Sequence, residues 1–298
     1  MKKINLFIIS CLISVFSYSL EIKDNKIYDS SGNNVEIKNY EKIVIADPAI
    51  VETFYMLGGE KKIIGIATSA RSKIWPEEKT NKLNSVGNIA KPSFEKIIEL
   101  EPDLVIVNKM SSGVSLSLKK LGIPVLEDDV SENIDNILKS IKIFGKLLNK
   151  EEKANLLYKN SLEKLGNIKN LKKEDNKKIK GLVLFSSSPM MAFNGESLPG
   201  QILELIGVEN IAKNLIGSRP IVSSEYLLEE NPDILMGAMS FRSEKQILDS
   251  NPIILKTKAG IKNNIFIVDS SEILRGSPRI FDTINNLYKE VQKCQNLK

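Results

Sequence analysis

The residue types that most often carry out chemistry in proteins are scarce in this sequence. Its 298 residues include no histidine and two cysteines, Cys11 and Cys294. A Ser-His-Asp or Cys-His nucleophile, an HExxH zinc site and a histidine-ligated haem therefore cannot be built. Two cysteines so far apart are too few for an iron–sulfur centre or a disulfide framework. The composition thus excludes a large part of enzyme chemistry.

Arginine is informative because it is rare: lysine supplies most of the 42 basic residues. Each arginine is therefore a candidate for paired hydrogen bonds to carboxylate, phosphate or catecholate oxygens, which lysine cannot form. Arg71 and Arg242 follow predicted strands and are the strongest candidates for ligand contact; Arg219 and Arg275 join them. Arg279 begins the last predicted helix and fits a structural role better. A surface salt bridge is the alternative for each.

Aromatic and sulfur-containing side chains form the next group of candidates. The one tryptophan, Trp75, lies just beyond a predicted strand. Met190, Phe193 and Phe241 lie in two loops of the second half of the chain. Such side chains can form an amphipathic face for a planar or apolar ligand. The alternative is that they fill the core beneath these loops.

Nucleotide-binding motifs are missing from the sequence. There is no GxGxxG after a strand and no GxxxxGK[ST], and Gly58-Gly59 is typical of a helix C-cap. Acid–base carboxylates could lie anywhere among the 37 acidic residues, so an exported α/β enzyme remains an alternative to a binding protein. The formal net charge of +5 is too small to favour a nucleic-acid partner.

The elements that must position these residues alternate between strands and helices. Apolar runs predict buried strands at 42–46, 63–67, 104–107, 124–126, 181–185, 234–237 and 265–268. Helical spacing predicts helices at 49–57, 94–100, 201–206, 224–229 and 278–292. The alternation predicts an α/β protein with mainly parallel sheets that are covered on both faces.

A long helical region separates two such α/β regions. Residues 132–171 keep helical spacing throughout, in two pieces that meet near Asn149. Two extended runs around a Gly/Asn turn near the start of the chain predict a hairpin. The predicted organisation is a signal peptide at 1–19, an N-terminal hairpin or extension at 20–40, a first lobe at 41–148, a linker helix at 149–172 and a second lobe at 173–298.

The first nineteen residues have the pattern of a secretory signal, with two lysines, an apolar segment and small residues before a cleavage point after Ser19. This pattern predicts an exported, periplasmic protein. Two alternatives remain open. Cys11 lies in a lipobox-like stretch and would then be a lipidated N-terminus. The apolar run could also be a membrane span, although it is short and interrupted.

A weak internal repeat supports the two-lobe organisation. SFEKIIELEPDLV at 93–105 aligns with SSEYLLEENPDIL at 223–235. Each copy predicts a serine N-cap, a short acidic helix and a Pro-Asp step into a buried strand. Glu95 and Glu225 occupy equivalent positions. By themselves, they could be ordinary first-turn glutamates that interact with the helix dipole.

These motifs resemble the periplasmic binding proteins of ABC importers for iron complexes and cobalamin. The similar segments are KIVIADPAIVETFYMLGGEKKIIGI, VGNIAKPSFEKIIELEPDLVIV, KKLGIPVLE, GQILELIGVENIA, IVSSEYLLEENPDIL and RGSPRIFDTI, in this order from 42 to 284. The resemblance implies two Rossmann-like α/β lobes joined by a long rigid helix, the class III architecture. It also implies a bulky metal chelate held between the lobes.

The resemblance implies a binding protein and not an enzyme. The expected ligand is an iron–siderophore-type complex, with cobalamin or haem as alternatives; the lack of histidine disfavours haem and bare Zn²⁺ or Mn²⁺. No resident cofactor is expected, because the metal arrives within the ligand. Glu95 and Glu225 are implied to dock on arginines of the ABC permease subunits. We expect a monomer without a nucleic-acid partner.

Ligands of such parallel sheets bind outside the carboxyl ends of the strands. Pro48 and Asn108 lie at two of these ends and join the candidates above. The expected ligand-binding residues are Pro48, Arg71, Trp75, Asn108, Met190, Phe193, Arg219, Phe241, Arg242 and Arg275. Because a packed helix resists bending, we expect little movement of the lobes when ligand binds.

Overall fold

The computed structural model describes residues 20–69, 72–128, 132–174 and 179–296. The predicted signal peptide, Cys11 and Arg71 lie outside these residues. No helix within the described ranges combines the length and apolar character that crossing a membrane requires.

An antiparallel sheet begins the described chain. Its strands are β1 (Glu21–Lys23), β2 (Lys26–Tyr28) and β3 (Asn34–Glu36). The sequence predicts one extended run before the Gly/Asn turn, but Asp24 and Asn25 have φ of 48° and 58° and divide that run into two strands. Asx side chains tolerate this left-handed conformation, so the hairpin gains a third strand. Ser31 ties the sheet to the first lobe by donating to Glu127 Oε2 at 2.7 Å.

The first lobe is a five-stranded parallel sheet with the order β10-β9-β4-β5-β6. Its strands are β4 (Ile43–Ala46), β5 (Ile63–Ile66), β6 (Asn84–Ser85), β9 (Leu104–Asn108) and β10 (Val125–Asp128), and a small hairpin pairs β7 (Gly87–Asn88) with β8 (Lys91–Pro92). Its helices are α1 (Pro48–Leu57), α2 (Glu77–Thr80), α3 (Phe94–Glu99) and α4 (Ser112–Lys120).

Local sequence sets the ends of α1, the helix that leads from the central strand. The Asp47 side chain accepts a hydrogen bond from Ala49 N, and Pro48 occupies the first turn, where its missing N–H is harmless. Gly58 ends the helix with φ of 77°, as the sequence predicts for a C-cap. The Asp47 cap directly follows β4, so it places a polar side chain at the carboxyl end of this strand.

Two long helices connect the lobes. α5 (Ile134–Leu147) and α6 (Glu151–Glu174) occupy the predicted helical region, and Asn149 between them has φ of 54°. The two helices approach closely at Gly145, where an added Cβ would lie 2.2 Å from the Ala154 Cβ. A larger residue at Gly145 would therefore separate α6 from α5.

The second lobe repeats the parallel design with one antiparallel edge. Its strands are β11 (Ile179–Ser187), β12 (Met190–Ala192), β13 (Val208–Asn210), β14 (Ile234–Gly237) and β15 (Ile265–Ile267). β11 pairs in parallel with β13 and β14, β14 pairs with β15, and β12 runs antiparallel to β11. Its helices are α7 (Leu198–Leu205), α8 (Ser224–Glu230), α9 (Glu244–Ser250), α10 (Lys258–Ile261), α11 (Ser270–Ile273) and α12 (Ile280–Asn296).

The internal repeat has the same structure in both lobes. Ser93 caps α3 by accepting from Lys96 N, and Ser223 caps α8 by accepting from Tyr226 N. The aspartate of each Pro-Asp step then fastens a neighbouring strand. The Asp103 carboxylate accepts from Lys42 N at 3.1 Å, and the Asp233 carboxylate accepts from Lys180 N at 3.0 Å.

One apolar core continues through both lobes. α6 packs against α5 and α12, and the Phe54 and Phe144 rings of α1 and α5 lie 5.5 Å apart. The same buried cluster includes Val183 and Phe281 of the second lobe. The two sheets remain separate, and no strand pair joins them in the described part of the chain. Helices and apolar packing therefore connect the lobes.

Candidate functional site

Polar residues collect at the carboxyl ends of β4 and β9, the adjacent strands where the sheet order reverses. Asn108 Nδ2 donates to Asp47 Oδ2 at 2.7 Å, while Asn108 Oδ1 accepts from Met110 N at 3.0 Å. Burial raises the pKa of Asp47, and the bonds from Asn108 and Ala49 N oppose this shift. Such a switch point is where open α/β sheets bind ligands.

Pro48 and Asn108 lie at this switch point, as the sequence predicts. Both Asn108 amide atoms are engaged within the lobe, and the residue is buried. The side chain that reaches out beside it is Met110, which is 67% exposed. Met110 lies in the loop that follows the predicted strand 104–107, but it is not among the expected ligand-binding residues.

Trp75 lies beyond β5 and is 40% exposed. Its backbone N–H donates to Glu52 Oε1 at 3.2 Å, and the Arg279 guanidinium lies 5.3 Å from its ring centroid. Glu52 belongs to α1, whereas Arg279 directly precedes α12. Trp75 therefore lies where the two lobes meet, with part of its ring open to solvent.

Three predicted ligand contacts belong instead to the interior of the second lobe. Met190, Phe193 and Phe241 are buried in its hydrophobic clusters. Successive side chains of a strand point to opposite faces, so in β12 Met190 and Ala192 are buried and Met191 is partly exposed. The sequence did not show which of these residues would face inward. The burial of these three side chains favours the alternative of a core role, and their contact with a ligand stays a prediction.

A connected group at the carboxyl edge of the second sheet, which we call the second-lobe rim, contains Phe185, Arg219, Met239 and Arg242. Ser240 N donates to Phe185 O at 3.4 Å across β11 and β14. The guanidinium of the exposed Arg219 lies 4.4 Å from the Phe185 ring centroid. Arg242, also exposed, donates from Nη1 to Met239 O at 2.6 Å. Both arginines keep further donor capacity toward solvent.

Arg275 has a role different from the predicted one. Its buried guanidinium donates to Glu52 Oε1 at 2.7 Å, to Ser72 Oγ at 2.5 Å and to the Lys73 carbonyl. Arg279 donates to the same Glu52 oxygen at 3.3 Å. Because Arg275 is buried and makes three hydrogen bonds to the first lobe, the structure gives it a role in joining the lobes, and its contact with a ligand stays a prediction. Spacing along the sequence could not show that a glutamate 223 residues away would pair with it.

Glu95 and Glu225 are exposed at equivalent positions of α3 and α8. The backbone N–H at the start of each helix, helped by the capping Ser93 and Ser223, lowers the pKa of each carboxyl, so both remain ionised. One turn further along each helix lies an exposed apolar residue, Ile98 or Leu228. Each lobe thus presents the same acidic and apolar pair.

The described ranges hold no cluster of three or more His, Cys, Asp or Glu residues that could bind a metal ion. These ranges therefore show no resident metal site. The exposed side chains described above can stack, donate guanidinium hydrogen bonds and make apolar contacts.

The periplasmic binding protein family profile matches residues 43–272, most of the chain. The chain belongs to this family. Its relatives and structural neighbours are binding proteins, in agreement with the expected class of function. The mixed α/β fold with parallel sheets is the class III architecture that the sequence predicts.

Named relatives of this periplasmic binding protein differ in their ligands. The petrobactin-binding protein of Bacillus subtilis is 28% identical over 211 residues, 70% of this chain and 66% of that protein. The vitamin B12-binding protein of Vibrio parahaemolyticus is 25% identical, over 65% of this chain and 70% of that protein. These alignments span about two thirds of each relative. The structure of the haem-binding protein HutB of Vibrio cholerae has a TM-score of 0.74 at 22% identity, over 84% of this chain and 98% of that chain, and shares the fold.

Proposed function

We propose that this protein is the extracytoplasmic receptor of an ABC importer and captures a metal chelate between its two lobes. The observation that carries the proposal is the partly exposed ring of Trp75 at the junction of the lobes. A family whose relatives bind petrobactin or vitamin B12 supports the same class of cargo. The metal arrives inside the ligand, so the receptor needs no cofactor of its own.

An iron–siderophore-type complex fits the available side chains best. The second-lobe rim offers two exposed guanidinium groups, that of Arg219 beside the Phe185 ring, and Trp75 and Met110 offer apolar surface on the first lobe. Guanidinium groups suit carboxylate or catecholate oxygens of a chelator, whereas the apolar side chains suit its carbon framework. Cobalamin and haem are the alternative cargoes, and haem would lack a histidine ligand because the chain contains none.

Delivery to the permease is assigned to the two exposed glutamates. Glu95 and Glu225, each followed by an exposed apolar residue, form two equivalent contacts for a permease with two similar subunits. Charge complementarity of this kind sets the encounter rate and the orientation more than the affinity. The receptor works as an exported monomer, and its location outside the cytoplasm follows from the predicted signal peptide.

A fluorescence titration tests the cargo. Since Trp75 is the one tryptophan of the chain, its emission reports this position alone. The purified protein is titrated with ferric petrobactin, ferric citrate, cyanocobalamin and haemin. We expect saturable one-to-one quenching by the ferric siderophore without chemical change of the ligand. Preferred binding of cyanocobalamin or haemin would assign that compound as the cargo. The absence of saturable binding would contradict the receptor function, and so would turnover of the ligand.

A further inference from the structure

A buried group of charges joins the lobes behind Trp75. We call Glu52, Arg275, Ser277 and Arg279 the interlobe cluster. The Glu52 side chain is 1% exposed, and its Oε1 accepts from both arginines while its Oε2 accepts from Ser277 Oγ at 2.6 Å. Glu52 lies on α1 of the first lobe, and its three partners lie between α11 and α12 of the second. The lobes are thus joined by one carboxylate with three donors from the opposite side.

The same cluster holds the segment that carries the tryptophan. Arg275 donates to Ser72 Oγ and to the Lys73 carbonyl, and Glu52 Oε1 accepts from Trp75 N. Arg279 places its guanidinium over the indole ring at 5.3 Å from the centroid. Residues 72–75 therefore have their backbone and ring fastened by both lobes at once.

Burial makes this arrangement sensitive to the loss of one of its charges. A buried ion pair gains from its partner in a low-dielectric interior, but a single buried charge that loses its partner is strongly unfavourable. The cluster therefore keeps one arrangement when the lobes are packed together. A guanidinium over a ring adds an orientation-dependent attraction that limits how the indole can turn.

We propose that Glu52 and Arg279 are positioning residues for ligand binding: through the interlobe cluster they hold the Trp75 ring in one orientation as a preformed stacking face for the chelate. This inference rests on the proposed function and specifies how its site is prepared. Neither residue needs to touch the ligand. Fixing the ring before binding reduces the entropy that binding would otherwise cost.

A purely structural connection between the lobes is the competing explanation, and the motion of Trp75 separates the two. Time-resolved fluorescence anisotropy and acrylamide quenching are measured on the purified protein and its variants. Glu52→Gln removes the charge, and Arg279→Gln removes the cation over the ring. Ser277→Ala is the matched control within the cluster because it contacts the other carboxylate oxygen, and Lys164→Gln removes the ion pair of α6 with Asp282 of α12, which is outside the cluster.

We expect the fast component of the anisotropy decay and the quenching constant each to rise about twofold in Arg279→Gln and Glu52→Gln, because the ring gains local freedom. Ser277→Ala and Lys164→Gln should keep wild-type values, even where the melting temperature falls. Unchanged ring motion in folded Arg279→Gln would overturn the proposal. Should Glu52→Gln not fold, Arg279→Gln decides, since Arg279 lies at the partly exposed edge of the cluster.

Calorimetric titration then connects ring motion to binding. The titrant is whichever of ferric petrobactin, ferric citrate, cyanocobalamin or haemin binds the wild type. Arg279→Gln should weaken its binding about tenfold, because a loss of affinity of this size corresponds to one oriented aromatic contact. Lys164→Gln should not weaken it. Equal affinity of Arg279→Gln and the wild type would overturn the positioning role. If none of the four binds the wild type, the proposed function fails, while the anisotropy comparison still decides whether the cluster orients Trp75.

Discussion

The exposed arginines of the second lobe differ from the cluster arginines in what holds their guanidinium groups. The Arg275 guanidinium donates hydrogen bonds to Glu52, Ser72 and Lys73 of the first lobe. Arg219 instead lies over the Phe185 ring and stays exposed. A planar cation that rests on an aromatic face keeps its edge donors available in a fixed plane. This difference separates a residue that joins the lobes from one that can receive a ligand.

Substituting Arg219 by lysine keeps the charge and removes the planar donor. We expect Arg219→Lys to weaken binding of the ferric siderophore about tenfold, because an ammonium neither stacks on Phe185 nor forms a paired hydrogen bond. Calorimetric titration measures the change. The control is Lys213→Gln, which removes a nearby exposed charge paired with Glu204. Wild-type affinity of Arg219→Lys would show that the positive charge alone suffices and would contradict the planar contact, whereas loss of affinity in Lys213→Gln would show a dependence on charge.

At the scale of elements, the repeated helices α3 and α8 provide an internal control for docking. Glu95 and Glu225 lie in the first turn of these helices, and Glu99 and Glu229 lie exposed at equivalent positions near their ends. The two pairs share charge, helix and exposure. They differ in position along the helix, which is what a docking contact depends on.

Reversing both charges at the start of the helices should abolish uptake. We expect Glu95→Lys/Glu225→Lys to lose transport into cells while ligand affinity stays unchanged, because like charges then face the basic groups of the permease. Glu99→Lys/Glu229→Lys is the matched control and should transport normally. Radiolabelled iron uptake together with ligand titration measures both properties. Normal transport by the first double variant would contradict the docking assignment.

The buried Tyr40, between β3 and β4, predicts a response to alkaline pH. Burial, with Glu36 nearby, raises the pKa of Tyr40 from 10.0 to about 12. Between these values the unfolded chain releases the phenol proton and the folded chain keeps it, so stability falls as pH rises. We expect a loss of up to about 1.4 kcal/mol per pH unit in this window. Tyr40→Phe should reduce this slope in chemical denaturation curves at pH 9 to 12, while Tyr55 and Tyr226, whose pKa values burial also raises, keep the remainder; an unchanged slope would contradict the prediction.

At the scale of the whole molecule, a shared core and a buried ion cluster restrict relative movement of the lobes. The apolar cluster runs from α1 and α5 through α6 to α12, and Glu52 connects the lobes beside it. Opening such an interface would expose apolar surface and leave a charge unpaired. The lobes therefore behave as one cooperative unit.

Small-angle scattering should show nearly the same radius of gyration for the free and the loaded protein. The reason is that closure about α6 would break packing between α5, α6 and α12. We also expect Trp75 fluorescence and far-UV circular dichroism to report one coincident unfolding transition. A marked contraction on loading, or a separate early Trp75 transition, would show that the lobes move independently.

Much of the fold follows from local patterns. All the predicted strands and helices have counterparts in the structure, with ends shifted by a few residues, because apolar periodicity and serine, aspartate and glycine caps act within a few residues of each other. Short elements such as α4 were missed, since its SGVSLSLKK sequence carries few apolar residues. Pro48 and Asn108 could be placed at strand ends for the same local reason.

The sequence by itself determined the α/β class, the long helical connection, the repeat and the exclusion of histidine chemistry. Tertiary structure alone decided which candidates face solvent: it buried Phe241, left Arg219 exposed and paired Arg275 with Glu52. The physical reason is the separation along the chain over which each kind of interaction acts. Caps and periodicity act between neighbours in the chain, whereas burial and ion pairing depend on residues that only folding brings together.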